Sequence, residues 1–153
     1  MKKLKTIDVE LSVVKYLKPR INLIVPNISW GLNIHECDLF VLSKSGYATE
    51  IEIKVSRSDL KKDLDKRHHH KSKKIKKLYF AIPDYMLCDK ELIPKHAGIL
   101  IVNQRGRCTL HRDAVINEKS YKFSDAERFQ VARLGALRIW NLKKRIKKLQ
   151  DLK

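Results

Sequence analysis

One segment constrains the fold more than any other part of the chain, because its side chains alternate with a period of two. Residues 47–55 read Tyr-Ala-Thr-Glu-Ile-Glu-Ile-Lys-Val. One face carries Thr49, Ile51, Ile53 and Val55, and the other carries Ala48, Glu50, Glu52 and Lys54. Such alternation is typical of a β-strand, in which successive side chains point to opposite faces of the sheet. The segment therefore predicts a strand with an apolar face and a charged face.

The segments around this strand predict an α/β domain. Helices are predicted over residues 6–18 with Thr6 as N-cap, over 58–67 behind Ser56, briefly over 89–95, and from Ser124 to about Leu152. Strands are predicted over 21–28, 35–43, 47–55, 78–82 and 97–103, with an edge strand at 107–112 and a Lys44-Ser45-Gly46 turn closing a hairpin. The resulting order, α-β-β-β-α-β, predicts a mixed central sheet with helices on its faces.

The chain is long enough for one domain and too short for two comfortable ones. We expect residues 1–153 to form that domain, with a core at about 6–112 and a long basic C-terminal helix at about 124–152. In the last turns of this helix Leu142, Ile146 and Leu149 share one face. The helix could pack on the core, extend a DNA-binding surface or pair with another copy in a homodimer, and these alternatives stay open.

Cysteine usage and the N-terminus narrow the class of protein. Cys37, Cys88 and Cys108 are an odd number without a CxxC pair, which argues against a disulfide framework or a zinc cluster. The N-terminus has basic residues but no apolar signal-peptide segment. No run approaches the roughly 18 apolar residues of a membrane helix. We therefore expect a cytoplasmic protein without membrane association.

The net charge of +17 indicates a polyanionic partner, with nucleic acid favoured over an anionic membrane. The charge is concentrated in two segments: residues 57–77 carry ten basic and three acidic side chains, and residues 124–153 carry nine and three. Such runs are often only solvated faces, but this first segment could also contact DNA phosphates. The predicted nucleic-acid-binding residues are Arg57, Lys61, Lys62, Lys66, Arg67, Lys73 and Lys74.

The nearly neutral first part of the chain holds the residues that suggest catalysis. Asp38 lies in an otherwise apolar strand, and the next strand carries Glu52 and Lys54 on one face. If the hairpin brings the three together, two carboxylates could hold a hard cation such as Mg²⁺, and the ammonium could support an attacking hydroxide. The alternative is a solvent-facing sheet surface with paired charges.

Two of these patterns resemble a known group of proteins. Asp38 followed by Glu52-Ile53-Lys54 resembles the PD-(D/E)XK nuclease superfamily, which has the restriction endonuclease-like fold. Within it, the chain is most similar to the MmcB-like DNA repair proteins over roughly residues 6–103, leaving the C-terminal helix outside. The segments that carry this likeness are Glu36-Cys37-Asp38, Glu50 to Asp59, Leu78 to Pro83, and Ile93-Pro94 with Gly98-Ile99-Leu100.

The resemblance implies a Mg²⁺- or Mn²⁺-dependent DNA nuclease that leaves a 5′-phosphate. It implies that Asp38, Glu52 and the backbone carbonyl of Ile53 bind the metal, that Lys54 positions or activates the attacking water, and that Glu10 completes the metal shell. One departure is Cys37, which stands where the family name has proline. Glu50 shares the face of Glu52 and could replace it or bind a second ion, although the E-x-K spacing favours Glu52.

Other functions remain open. The same fold could serve as a non-catalytic DNA-binding module that recruits a repair-protein partner, and RNA binding is a third alternative. The run His68-His69-His70 predicts a flexible basic loop more than a transition-metal site, because consecutive side chains point in different directions. His35 is interpreted as structural although it could approach the site, and Trp30 and Trp140 as core or interface residues.

Overall fold

A computed structural model describes residues 3–28, 31–66 and 70–153. The helices are α1 (Thr6–Tyr16), α2 (Arg57–Leu64) and α3 (Asp125–Asp151), with a 3₁₀ helix at Asp84–Leu92. The strands are β1 (Leu23–Ile28), β2 (Cys37–Leu42), β3 (Ala48–Ile53), β4 (Ile75–Pro83), β5 (Gly98–Val102) and β6 (Cys108–Arg112). The expectations for Trp30, Arg67, His68 and His69 fall outside the described residues.

The strands form one mixed sheet in the order β1-β2-β3-β4-β5-β6. β1, β2 and β3 are antiparallel, β3, β4 and β5 are parallel, and β6 returns antiparallel to β5. Because parallel neighbours need a crossover connection, α2 lies between β3 and β4 in the chain. The predicted mixed α/β architecture is confirmed, and β6 lies at the edge of the sheet.

The helices begin at N-capping residues. Ser56 Oγ accepts a hydrogen bond from the Asp59 backbone N–H, so α2 begins as predicted, although it ends at Leu64 rather than at residue 67. Ser124 and Glu127 cap each other at the start of α3, as predicted. The N-cap of α1 is Lys5 and not Thr6, because the Asp8 carboxylate accepts from the Lys5 backbone N–H at 2.8 Å.

The two faces of the sheet are covered by different helices. Val9 and Val13 of α1 pack with Ile51 on one face. On the other face, α3 contributes Val131 and Leu134 to one apolar cluster, and a second cluster forms around Leu60, Phe80 and Met86. The charged side chains of β3 point toward this second face because side chains alternate along a strand. They are therefore covered by helices instead of facing solvent.

The strongly polar stretch of residues 70–77, whose composition suggests a loop or a frayed helix end, contains the start of a strand. β4 begins at Ile75, which is buried, and the two lysines that follow have partners. The Lys76 ammonium lies 3.6 Å from the centre of the Tyr47 ring, and Lys77 pairs with Asp113 at 3.2 Å. Lysines can flank an apolar strand in this way because their charged ends reach polar partners while their stems pack.

The second half of α3 extends beyond the body of the domain. Val131 and Leu134 are buried, whereas every residue from 139 onward is exposed. Trp140 is 59% exposed and is therefore not a core residue. Among the described residues, no helix is long and apolar enough to span a bilayer.

Candidate functional site

Glu52 and Lys54 form a buried ion pair at the carboxyl end of β3. The Lys54 Nζ atom donates to Glu52 Oε2 at 2.7 Å. Glu52 is 1% exposed and Lys54 is 8% exposed, so the alternative of a solvent-facing sheet surface is wrong. An ion pair removed from water needs such close partners, because an unpaired buried charge is costly.

Asp38 lies beside the end of the same strand. Its Oδ2 atom accepts a hydrogen bond from the Ile53 backbone N–H at 2.7 Å. Asp38, Ile53 and Lys54 line one cleft of about 220 Å³. Its other lining residues are Thr6, Asp59, Lys62, Asp63 and Lys66. The hairpin therefore brings Asp38 close to Lys54, as the sequence predicted.

Asp38 also acts electrostatically on Glu10 and Glu52. Burial and then the charge of Asp38 raise the pKa of Glu10. The same two causes raise the pKa of Glu52, against the opposing charges of Lys54 and Lys66. The charge of Asp38 therefore repels the carboxylates of Glu10 and Glu52, and a bound cation would reduce this repulsion.

Asp63 of α2 and Lys66, two residues after the end of that helix, were not assigned to catalysis by sequence reasoning, and they complete the surroundings of Glu52. Lys66 Nζ donates to Glu52 Oε2 at 3.1 Å and lies 2.7 Å from Asp63 Oδ1. Lys54 Nζ lies 3.2 Å from the same Asp63 oxygen. Asp63 is buried three residues after the buried Leu60, so both lie on the inward face of α2. A carboxylate at an inward helical position was the signal that could have identified Asp63.

His70 extends this arrangement, contrary to the prediction of a flexible loop at this residue. It is 6% exposed, its Nε2 atom lies 2.6 Å from Asp63 Oδ2, and its Nδ1 atom lies 2.8 Å from Glu50 Oε1. Burial lowers the pKa of His70, but the hydrogen bonds to Asp63 and Glu50 outweigh it and raise the pKa to about 9. His70 is therefore an imidazolium at neutral pH, since both ring nitrogens must donate.

Glu50 is engaged by two histidines. Its Oε1 atom meets His70, and its Oε2 atom lies 2.7 Å from His35 Nε2. Burial would raise the pKa of Glu50, but the hydrogen bonds from both histidines lower it. His35 therefore approaches the acidic strand, which is the alternative that the sequence left open. Because both oxygens of Glu50 are used, Glu52 is more available as a metal ligand.

The protonation state of Lys54 limits what it can do. Burial lowers its pKa, while the charges of Glu52 and Asp63 outweigh burial and raise it. The side chain is therefore a cationic hydrogen-bond donor near neutral pH. Such a group can orient water or offset negative charge on phosphate, but it has no lone pair with which to remove a proton.

Possible ligand atoms are grouped differently from the predicted set. Among the described residues, two trios have ligand atoms within 4.8 Å of one another: His35-Glu50-His70 and Glu52-Asp63-His70. Glu10, Asp38 and Glu52 are not such a trio. Within the described parts of the chain, no group donates a hydrogen bond to the buried Oε1 atom of Glu52. That oxygen remains available to a cation or a water molecule.

The residue immediately before Asp38 is buried. Cys37 is 1% exposed, and burial followed by the charge of Glu50 raises the pKa of its thiol. The thiol is therefore neutral at physiological pH. It adds no negative charge beside Asp38.

The predicted nucleic-acid-binding residues occupy different environments. Lys61, Lys62 and Lys73 are exposed, and Lys62 borders the cleft with Asp38. Arg57 is exposed but pairs with Asp89 at 2.8 Å. Lys66 points inward to Glu52, and Lys74 donates to the Leu32 carbonyl oxygen. Of the described members of the set, Lys61, Lys62 and Lys73 are thus the ones best placed to meet a polyanion.

Comparison with known proteins identifies the family. The fold is similar to the structure of a protein of unknown function from Silicibacter pomeroyi, with a TM-score of 0.66 and 20% sequence identity over 98% of this chain and 94% of that chain. No curated protein matches this sequence. A family model matches residues 6–146 and so extends well into α3, which the sequence resemblance left outside. The chain belongs to the family described as DNA repair protein MmcB-like.

Proposed function

We propose that the protein is a Mg²⁺- or Mn²⁺-dependent deoxyribonuclease with a restriction endonuclease-like core. Membership of the MmcB-like family indicates a DNA repair role, and the proposal adds the chemistry. The observation that carries it is the buried Glu52–Lys54 pair next to Asp38. A binding surface that only recognised polyanions would gain nothing from burying carboxylates beside a cleft, since burial of charge is costly.

The side chains fit a hard divalent cation. Carboxylate and carbonyl oxygens are the ligands that Mg²⁺ prefers, and Glu52 has a buried oxygen without a hydrogen-bond donor among the described residues. Asp38, Glu52, the Ile53 carbonyl and Glu10 would hold the ion, and the oxygens of Glu10, Asp38 and Glu52 would have to move closer together to do so. When bound, the ion would polarise a phosphate oxygen and lower the pKa of water.

Lys54 has a positioning role in this proposal. Its protonated ammonium donates to Glu52 and borders the cleft, so it can hold a water oxygen or offset charge on the phosphate. In the hydrolysis, the water oxygen bonds to phosphorus and the 3′-oxygen leaves with a proton, giving a 5′-phosphate and a 3′-hydroxyl. Lys62 borders the same cleft and can contact a phosphate beside the one attacked.

A panel of linear, nicked, flapped and single-stranded DNA, incubated with Mg²⁺ or Mn²⁺, tests the proposal. We expect cleavage by the wild type and at least a hundredfold loss in Asp38→Asn and Lys54→Gln, on the order found for groups that stabilise transition-state charge. Asp84→Asn is the matched control, since Asp84 is exposed and lies outside the cleft. Thermal unfolding verifies that each variant is folded.

A second candidate is a non-catalytic DNA-binding module that recruits repair factors. The observation that favours it is that Lys54 and Lys66 already neutralise Glu52 without an added ion. No cleavage by the wild type on any substrate, together with retained DNA binding, would support this candidate and contradict the nuclease.

A further inference from the structure

A second cleft is lined by His70 and not by Asp38. Its volume is about 460 Å³, within the range of small-molecule sites. One wall is formed by the start of β4 and the residues before it, and the other by the segment after β6. The lining residues are His70, Lys71, Ser72, Lys73, Ile75, Lys76, Lys77, Leu78, His96, Val115, Ile116, Asn117 and Lys119.

The lining combines an apolar surface with positive charge. Val115 and Ile116 are 64% and 44% exposed and face no covering element in the described chain. Lys71, Lys73 and Lys119 are exposed, and none of the described residues that line the cleft is acidic. A complementary ligand therefore has an apolar part and at least one anionic group.

His96, which lines the cleft, is also affected by this positive charge. Burial and then the charges of His70 and Lys71 lower the pKa of His96. Two further lysines are partly engaged, Lys76 with the Tyr47 ring and Lys77 with Asp113. The cleft thus remains positive even after these contacts are taken into account.

We propose that this cleft, which we call the nucleotide cleft, binds one unpaired nucleotide of a DNA strand. The base would cover Val115 and Ile116, and its phosphates would meet Lys71, Lys73 and Lys119. A base stacked inside a duplex cannot enter a concave site, so the nucleotide must be unpaired. An anionic bilayer surface is too broad to enter a space of this size.

The nucleotide cleft is adjacent to the candidate active site. His70 lines it, Asp63 lines the cleft that contains Asp38, and His70 Nε2 and Asp63 Oδ2 are 2.6 Å apart. This inference rests on the proposed function in taking DNA as the ligand. It specifies the substrate as DNA with single-stranded character beside the scissile bond.

Equilibrium binding without divalent metal tests this inference separately from cleavage. The probes are fluorescent oligothymidylate and an oligomer of equal length and charge in which every base is missing. We expect the wild type to bind oligothymidylate about fivefold to tenfold more tightly, because base contacts add to phosphate contacts. Equal affinity for the two probes, or binding to neither, would overturn the inference.

Variants of two exposed isoleucines locate the base contact. Ile116→Ala should weaken oligothymidylate binding by about threefold to tenfold and leave binding of the abasic oligomer unchanged. Ile21→Ala is the matched control, because Ile21 is 52% exposed and lies outside the nucleotide cleft. An equal loss in both variants, or no loss in Ile116→Ala, would show that the base does not bind there. Absent cleavage with this binding pattern intact would refute only the nuclease.

Discussion

The buried imidazolium of His70 makes the stability of the protein depend on pH. Its pKa is about 9 in the folded protein, above the ordinary value of 6.5 that the unfolded chain would have. Because the folded pKa is the higher one, the stabilisation is fully present below about pH 6.5 and is lost as pH rises through 9. Linkage gives about 3 kcal/mol at pH 6, about 2 kcal/mol at pH 7.5 and almost nothing at pH 10.

The variant His70→Gln removes this titration. Its amide can donate to only one of the two carboxylates that His70 joins, Glu50 Oε1 and Asp63 Oδ2. We expect the free energy of unfolding to fall by about 3 kcal/mol at pH 6, and the difference from the wild type to shrink toward the alkaline end.

Urea denaturation between pH 6 and pH 10 measures this difference. His111→Gln is the matched control, because His111 is exposed on β6 and should leave the pH profile unchanged. A constant difference between His70→Gln and the wild type over the whole range would refute the imidazolium, since a neutral buried histidine gives no such linkage.

Two further predictions concern the metal site and the terminal helix. The variant Lys66→Met loses one of the two ammonium groups that contact Glu52. Without metal, its free energy of unfolding should fall by about 1–2 kcal/mol and its Tm by roughly 3–6 °C. Mg²⁺ should raise the Tm of this variant more than it raises the Tm of the wild type. Thermal unfolding with and without Mg²⁺ measures both effects, and Lys71→Met is the exposed control. If Mg²⁺ changed the Tm of neither the wild type nor Lys66→Met, the result would contradict a cation site. Leu134→Ala should cost about 2–4 kcal/mol in urea denaturation because Leu134 is buried, whereas Leu149→Ala should change stability by less than about 0.5 kcal/mol. Equal costs would mean that the end of α3 is packed as well as its beginning.

The sequence predicted the strands well where apolar residues alternate or cluster. The alternation in residues 47–55 correctly divides β3 into two faces, and Ser124 correctly begins α3. The Gly46 turn between β2 and β3 is also present, with a φ of +87° that glycine adopts without strain. These signals are local, so one stretch of chain contains all the information needed.

The local sequence did not predict that the charged face of β3 is buried. Glu52 appears in sequence as one of several acids on a strand, and only the packing of α2 over the sheet removes it from water. His70 lies in a strongly basic run, and its burial depends on Glu50 and Asp63, which are 20 and seven residues away. Polarity along the chain therefore predicts exposure wrongly where distant residues supply the hydrogen bonds.

The balance of charges in this network indicates where a cation would gain most. Glu50, Glu52 and Asp63 are buried carboxylates, and each lies within hydrogen-bond or ion-pair distance of a histidine or lysine. In contrast, among the described residues no lysine or arginine forms an ion pair with Asp38 or Glu10. The negative charge without an ion-pair partner thus lies at Asp38 and Glu10, and the charge of Asp38 acts on both Glu10 and Glu52. A divalent ion bound there would gain attraction from Asp38 and Glu10 without first separating an ion pair, and only its contact with Glu52 would compete with Lys54 and Lys66.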